Sequence, residues 1–357
     1  MNGQMNSEIQ SLTFTDNAAG ALGKLLQTLD YDRLFVLTDD TTHRLCLDKL
    51  QGCPELANMQ SISILPTDEH KDVAGLSEVW RGLSDGGATR HSVMVNVGGG
   101  MVTDLGGFAA STFKRGIRFI NIPTTLLAMV DASVGGKTGI NFNGLKNEVG
   151  VFNNALDVII DTGFLRTLDT QNLLSGYAEM IKHGLISNTD DWAELLRFDF
   201  NDPDTAAIGR LVQKSVEVKK RIVIEDPREK GLRKALNLGH TAGHAFESFA
   251  LHSGRPVLHG YAVAWGLVCE LFLSVIKQNF PKEKMRQTIS FIRENYGTMP
   301  IDCKCYDTLY TLMTHDKKNT SGRINFTLLS DVGEIQLDCT ATKDEIFEML
   351  DFYREQF

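Results

Sequence analysis

The sequence predicts an α/β protein in two parts: an N-terminal domain with a parallel sheet over residues 1–166, and a mostly α-helical C-terminal domain over 167–357. Three observations carry this. Single hydrophobic cores stop growing at about 250–300 residues, so a chain of 357 residues is expected to split. In the first half, short β-branched runs alternate with amphipathic stretches, the pattern of βαβ units in a parallel sheet. Past about residue 167 the β-rich runs nearly vanish and helical periodicity takes over.

The elements follow in order. Strands are expected at Arg33–Thr38, Ser61–Leu65, Ser92–Val97, Phe119–Pro123 and Val158–Asp161, with helices over 41–50 and 71–85 between the first three. This half is of the dinucleotide-binding type. In the second half, periodicity predicts helices over 172–187, 204–222, 262–279 and 343–355, the last opened by a capping box of Thr342 with Glu345. Ile324–Leu329 and Gly333–Leu337 predict a small hairpin. There is no internal repeat and no low-complexity linker.

Composition excludes several classes of function. Aliphatic and aromatic residues make up 42 % and charged residues 23 %, enough apolar surface for a folded core. A net charge of -9 gives no broad positive field of the kind a nucleic-acid partner requires. No apolar stretch reaches the length expected of a membrane span and the N-terminus has no signal-peptide pattern, so neither a membrane partner nor export is expected and the protein is placed in the cytoplasm. The six cysteines are scattered, and Cys303-Lys304-Cys305 has the wrong spacing for a zinc knuckle or a thioredoxin site. All six are read as reduced thiols.

The strand at 92–97 runs into Gly98-Gly99-Gly100-Met101-Val102-Thr103-Asp104-Leu105-Gly106-Gly107 and then an apolar helix ending near Thr112. Glycines at a helix start let the backbone approach a pyrophosphate, and the helix N-terminus offers free N–H groups. Spacing alone leaves a plain strand-to-helix turn equally open, since Thr103 stands where the G-x-G-x-x-G pattern needs its third glycine and the turn follows the third strand. His240 and His244 are spaced i, i+4 and share a face if 238–250 is helical. That spacing fits a metal pair or two ordinary surface histidines. His259 and Glu179 are further donors, and three such ligands with an open position describe a catalytic rather than a structural site. Lysines scattered singly read as solvated surface.

Gly98 to Gly107, Lys114-Arg115-Gly116, Pro123-Thr124-Thr125-Leu126-Leu127-Ala128, Val130 to Thr138, Lys146-Asn147 and Leu236 to Glu247 appear in one order. In these motifs the chain resembles the 3-dehydroquinate synthase family over about residues 33–337. The resemblance implies that Gly99, Gly100, Met101, Asp104, Thr124 and Thr125 hold NAD, with Asp39, Asp68 and Lys71 toward its adenosine end and Asp131, Lys137 and Lys146 also at the cofactor. It assigns a metal, Zn2+ or Co2+, to Glu179, His240 and His259, which replaces the helical pair by a wider set and makes His244 a catalytic neighbour suited to proton relay. Lys137, Lys146, Asn147, Lys182, Lys219, Glu229, Arg233, Asn237, His244 and Lys317-Lys318 match substrate positions. The turn Asp226 to Arg233 would deliver Glu229 and Arg233. Arg115 matches a position associated with a dimer contact, so a homodimer is implied. The chain departs from the family at Tyr261, where a glutamate is usual, and at Thr41 in place of an asparagine.

The implied reaction converts 3-deoxy-D-arabino-heptulosonate 7-phosphate to 3-dehydroquinate and phosphate, the second step of the shikimate pathway. NAD would be reduced and reoxidised within one turnover, and the metal would act as a Lewis acid. The expected partner is a small molecule carrying a carboxylate and a phosphate, which a local set of ammonium and guanidinium donors suits. Two rival readings are another sugar-phosphate cyclase, such as a 2-deoxy-scyllo-inosose or epi-valiolone synthase, and a metal-dependent alcohol or glycerol dehydrogenase.

Overall fold

The computed structural model of the chain describes residues 10–143, 145–200, 205–314 and 323–356. It divides into two compact units, Met1–Asp169 and Thr170–Phe357, so the division falls three residues beyond the 166/167 boundary read from the sequence.

The first unit runs β1 (Leu12–Phe14), α1 (Ala18–Gln27), β2 (Leu34–Asp39), α2 (Asp40–Cys46), β3 (Gln60–Ile64), α3 (Val73–Asp85), β4 (Val93–Gly98), α4 (Gly100–Thr112), β5 (Arg118–Pro123), β6 (Lys137–Phe142), β7 (Leu145–Phe152) and β8 (Val158–Ile160). Six strands form one sheet in the order β1-β8-β5-β4-β2-β3, with every pairing parallel. β2 and β4 are buried at every position, as strands inside a parallel sheet should be, which is why they read as mostly apolar runs, interrupted by Asn96 in β4 and by Thr38 and Asp39 at the end of β2. The helix expected over 41–50 stops at Cys46 and continues as a 3-10 turn, Leu47–Leu50. Local hydrogen bonds set the helix starts: Asn17 caps α1, Asp72 caps α3, and Asp39 forms a capping box with Thr42.

Chain order along the sheet locates a crevice. From β2 the chain moves out to β3, then returns to β4 on the other side of β2. The strand order reverses there, and in open parallel sheets ligands bind outside the carboxyl ends of the strands at such a point. Asp39 ends β2 and Gly98 ends β4.

The second unit runs α5 (Thr170–Leu185), α6 (Thr189–Leu195), α7 (Thr205–Glu225), α8 (His240–His252), α9 (His259–Gln278), α10 (Lys282–Tyr296), α11 (Tyr306–Thr314), β9 (Asn325–Asp331), β10 (Glu334–Thr340) and α12 (Lys343–Gln356). The hairpin and the capping box of Thr342 and Glu345 form as expected. The sequence reading of no membrane-length apolar stretch needs correction. α9 is 20 residues long and apolar enough to cross a bilayer. Its apolar surface is spent elsewhere, because 72 % of its most apolar window is buried and α5, α8, α10, α12 and β9 pack around it. It is the core helix of this unit. All six cysteines are free thiols.

Candidate active site

In the first unit, residues distant in sequence meet around Lys71. Its Nζ donates to Asp104 Oδ2 at 3.0 Å and Asn147 Oδ1 at 2.6 Å and lies 3.3 Å from Asp68. Lys146 pairs with the other Asp68 oxygen at 3.1 Å. Burial opposes the charge on Lys71, yet Asp104 and Asp68 hold its pKa above the ordinary lysine range. Burial likewise acts to raise Asp68, and Lys71 and Lys146 hold it below the usual carboxylate range. Five expected site residues, Asp68, Lys71, Asp104, Lys146 and Asn147, are thus one network.

Beside it, the ends of β4 and β5 carry the glycine turn and the Thr124-Thr125 pair. Thr124 N donates to Gly98 O at 2.9 Å, which ties the two strand ends together. α4 begins at Gly100, so the free N–H groups of Gly100, Met101 and Val102 form an anion-receptive terminus next to Thr125. Asp39 is buried and its Oδ1 accepts from the Thr42 N–H, so part of its carboxylate is already used as a helix cap. Asp131 sits in a π-helical turn, Ala128–Ala132, of a kind common at functional sites. Lys137 is exposed at the start of β6. Lys114, Arg115 and Gly116 have φ of 49°, 68° and 115°. Consecutive left-handed non-glycine residues are strained, and the Arg115 side chain is exposed.

The second unit brings together, from three helices, three side chains that could hold a metal ion. Glu179 (α5) is fully buried, and the Nε2 atoms of His240 (α8) and His259 (α9) each lie 3.4 Å from its Oε1. Among the described residues, neither Glu179 oxygen accepts a hydrogen bond of ordinary geometry. The spacing matches a shared ion: with zinc-to-ligand distances near 2.0–2.1 Å, neighbouring ligand atoms of a tetrahedron lie about 3.3 Å apart. The far ring nitrogens are anchored, His240 Nδ1 to Leu238 O at 3.0 Å and His259 Nδ1 to Glu247 Oε2 at 3.3 Å. Such outer contacts fix the tautomer that points Nε2 at a metal. Burial pushes the His240 ring down to about 4 and keeps it neutral. His259 is half-buried; burial acts to lower its pKa, but Glu247 and Glu179 hold it up at about 10, so positive charge is favoured between the two carboxylates. Burial would raise Glu179, whereas the Lys182 ammonium, in direct contact, and His240 hold it well below the usual carboxylate range. The donor set fits zinc or cobalt.

His244 stands beside this cluster, with its ring centroid 5.3 Å from that of His240 and 5.9 Å from that of His259. Among the described residues its nitrogens are not part of the three-ligand group. The turn after α7 presents Glu229, whose Oε1 accepts from Asn237 Nδ2 at 2.9 Å, and Arg233, whose Nη1 donates to Pro227 O at 2.7 Å. Lys182, Lys219 and Arg233 are each 6 % exposed or less. Burying three cations in one unit is costly unless anions accompany them. Tyr261 packs edge-on against Tyr296 and Trp265. Lys317 and Lys318 lie outside the described residues.

Close helix packing makes the ligands converge, and sequence reasoning missed it. Gly260, next to His259, donates its N–H to Ser175 Oγ, and a Cβ at Gly260 would stand 1.8 Å from Ser175 O. A Cβ at Gly266 would stand 2.0 Å from Gly239 O. These two glycines let α9 touch α5 and the start of α8. The buried carboxylate of Glu270, also on α9, accepts from Gly239 N at 2.6 Å, Thr241 N at 2.9 Å and Ala242 N at 3.1 Å. Glu270 was legible in principle as the single charge in the apolar run of α9.

A parallel-sheet unit with a strand-order switch point, and a helical unit with a two-histidine, one-carboxylate cluster, place the chain in the class of two-unit metalloenzymes built on a dinucleotide fold. Profiles of the N-terminal and C-terminal parts of 3-dehydroquinate synthase match residues 61–175 and 176–319. The 3-dehydroquinate synthase of Parabacteroides distasonis is 53 % identical over 348 residues, covering 98 % of this chain and 99 % of that protein. The chain belongs to the 3-dehydroquinate synthase family. Its fold is also that of a 2-deoxy-scyllo-inosose synthase solved with carbaglucose-6-phosphate, NAD+ and Co2+, with a TM-score of 0.84, 22 % identity and 96 % of each chain covered. A 2-epi-5-epi-valiolone synthase from Streptomyces hygroscopicus, solved with NAD+ and Zn2+, gives a TM-score of 0.85 at 24 % identity, over 98 % of this chain and 97 % of that one.

Proposed function

We propose that the protein converts 3-deoxy-D-arabino-heptulosonate 7-phosphate to 3-dehydroquinate and phosphate, using NAD catalytically and one divalent metal ion. The observation that carries the metal half is the 3.4 Å convergence of both histidine nitrogens on Glu179 Oε1. The family relationship supplies the substrate, and three buried cations suit a ligand with a carboxylate and a phosphate. When bound, NAD supplies a hydride acceptor and donor, and zinc or cobalt supplies Lewis acidity toward a substrate hydroxyl.

This chain's own residues have the remaining roles. Glu179, His240 and His259 hold the metal. Gly99, Gly100, Met101, Thr124 and Thr125 receive the pyrophosphate, with Asp39, Asp68, Lys71, Asp104 and Asp131 placing the rest of the cofactor. Lys182, Lys219 and Arg233 bind the anionic ends of the substrate, joined by Lys137, Lys146, Asn147 and Lys317-Lys318. Glu229 and Asn237 restrain one another by their hydrogen bond and orient substrate hydroxyls. His244, beside the ligands but outside them, moves the proton.

The test is phosphate release by purified protein given the heptulosonate phosphate, zinc and NAD at far less than one equivalent. Phosphate should accumulate in large excess over the NAD supplied, with no net NADH. Stoichiometric NADH would indicate a dehydrogenase, and no phosphate from this substrate would sink the assignment. The same reading makes the protein a cytoplasmic homodimer. Six free thiols and the exposed apolar side chains of Leu145, Val149, Val151 and Phe152 on β7 support it. A monomeric mass by light scattering would count against the dimer.

A further inference from the structure

We propose that Glu270 is a positioning residue for the metal centre, acting through the start of α8. This rests on the reading of Glu179, His240 and His259 as the metal site. His240 is the first residue of α8, and its ring is fixed by the bond from Nδ1 to Leu238 O. Its direction therefore depends on the backbone from 238 to 242. Glu270 holds that stretch from the opposite side, accepting N–H groups from Gly239, Thr241 and Ala242, which flank His240 on both sides. Gly239 takes φ of 79°, a left-handed conformation that turns its N–H toward the same carboxylate as the two that follow. α8 has no side-chain cap of its own, so this carboxylate, brought from another helix, serves in its place.

The contact also has an electrostatic consequence. A helix N-terminus carries the positive end of the helix dipole and disfavours a nearby cation. His240 would hold a divalent ion at that end. A fully buried carboxylate against the first N–H groups offsets the dipole where the ion would bind. Glu270 thus aims the ligand and removes a local penalty on metal affinity without touching metal or substrate.

The test is zinc affinity of the full-length protein, measured by competition with a chromophoric chelator. Glu270→Gln keeps the side-chain shape but sets an amide NH2 against a backbone N–H. It should fold with a wild-type far-UV CD spectrum, bind zinc at least about tenfold more weakly, and shift the visible absorption of the cobalt(II)-loaded protein. Ile346→Ala, a cavity in the buried face of α12, controls for lost stability: at a similar fall in melting temperature its zinc affinity should stay within twofold of wild type. Wild-type zinc affinity and cobalt spectrum in Glu270→Gln would overturn the proposal and leave Glu270 a purely structural cap. If that variant does not fold, Glu270→Asp, which retracts the carboxylate, must show weakened zinc binding for the proposal to survive. A wild-type protein that binds no zinc would sink the metal reading, and this inference with it.

Discussion

Replacing His259 by alanine should empty the metal site, while replacing His244 should not. In the proposed site His259 offers one of three ligand atoms, and it stands between Glu179 and Glu247. Without it two buried carboxylates face each other with less compensation, and the remaining two ligands fall short of the three that catalytic zinc sites use. Zinc content should drop from one per chain to near zero. Loss of several kcal/mol of Lewis-acid stabilisation corresponds to a fall in phosphate release on the order of 10^3-fold or more. His240→Ala should behave alike. His244→Ala should keep its zinc, because its ring lies beside the ligands and not among them, and should lose about 10^2- to 10^4-fold in rate as a missing proton-transfer group. Metal analysis of the three purified variants decides the ligand set. Retained zinc in His259→Ala, or lost zinc in His244→Ala, would overturn it.

The second large effect is structural. Gly260→Ala places a methyl group 1.8 Å from a backbone oxygen of Ser175, and Gly266→Ala places one 2.0 Å from Gly239 O and 2.6 Å from Gly243 N. Backbone atoms in packed helices cannot swing aside as a side-chain end can, so the helices must separate. Overpacking typically costs about 1–3 kcal/mol and sometimes more, and these contacts belong at or above the upper end. A loss of about 3 kcal/mol corresponds to a fall of roughly 6–12 °C in melting temperature for a unit of this size. Each variant should also bind zinc more weakly, since the separated helices carry the ligands. A melting temperature within about 2 °C of wild type, read by calorimetry, would show that the helices are not held this close.

Much of the parallel-sheet unit was legible because buried parallel strands need apolar residues on both faces, and Leu34–Asp39 and Val93–Gly98 announce themselves that way. The hairpin of β6 and β7 was not, because β7 is exposed along its whole length and carries no burial signal. α10 and α6 went unread for a related reason: their many charged residues mask a narrower buried stripe. The metal centre shows the limit of local spacing. The i, i+4 relation of His240 and His244 is visible within one helix, whereas the pairing of His240 with Glu179 and His259 depends on three helices meeting. Only the resemblance supplied that set. The lone charge of Glu270 in an apolar run stood out locally, but nothing local named its partners, which lie on α8, nor marked Glu247 as the partner of His259.

The ion pair of Lys182 with Glu179 bears on how the chain is made. Both residues lie on α5, three positions apart, and both are fully buried. During synthesis at about 5–20 residues per second, the roughly eighty residues separating Glu179 from His259 take several seconds to appear. For roughly the first sixty of those residues neither His240 nor His259 exists yet. A lysine on the adjacent turn is the earliest neutralising partner the nascent helix has, so the acid that later anchors the site can enter an apolar setting before its final neighbours arrive.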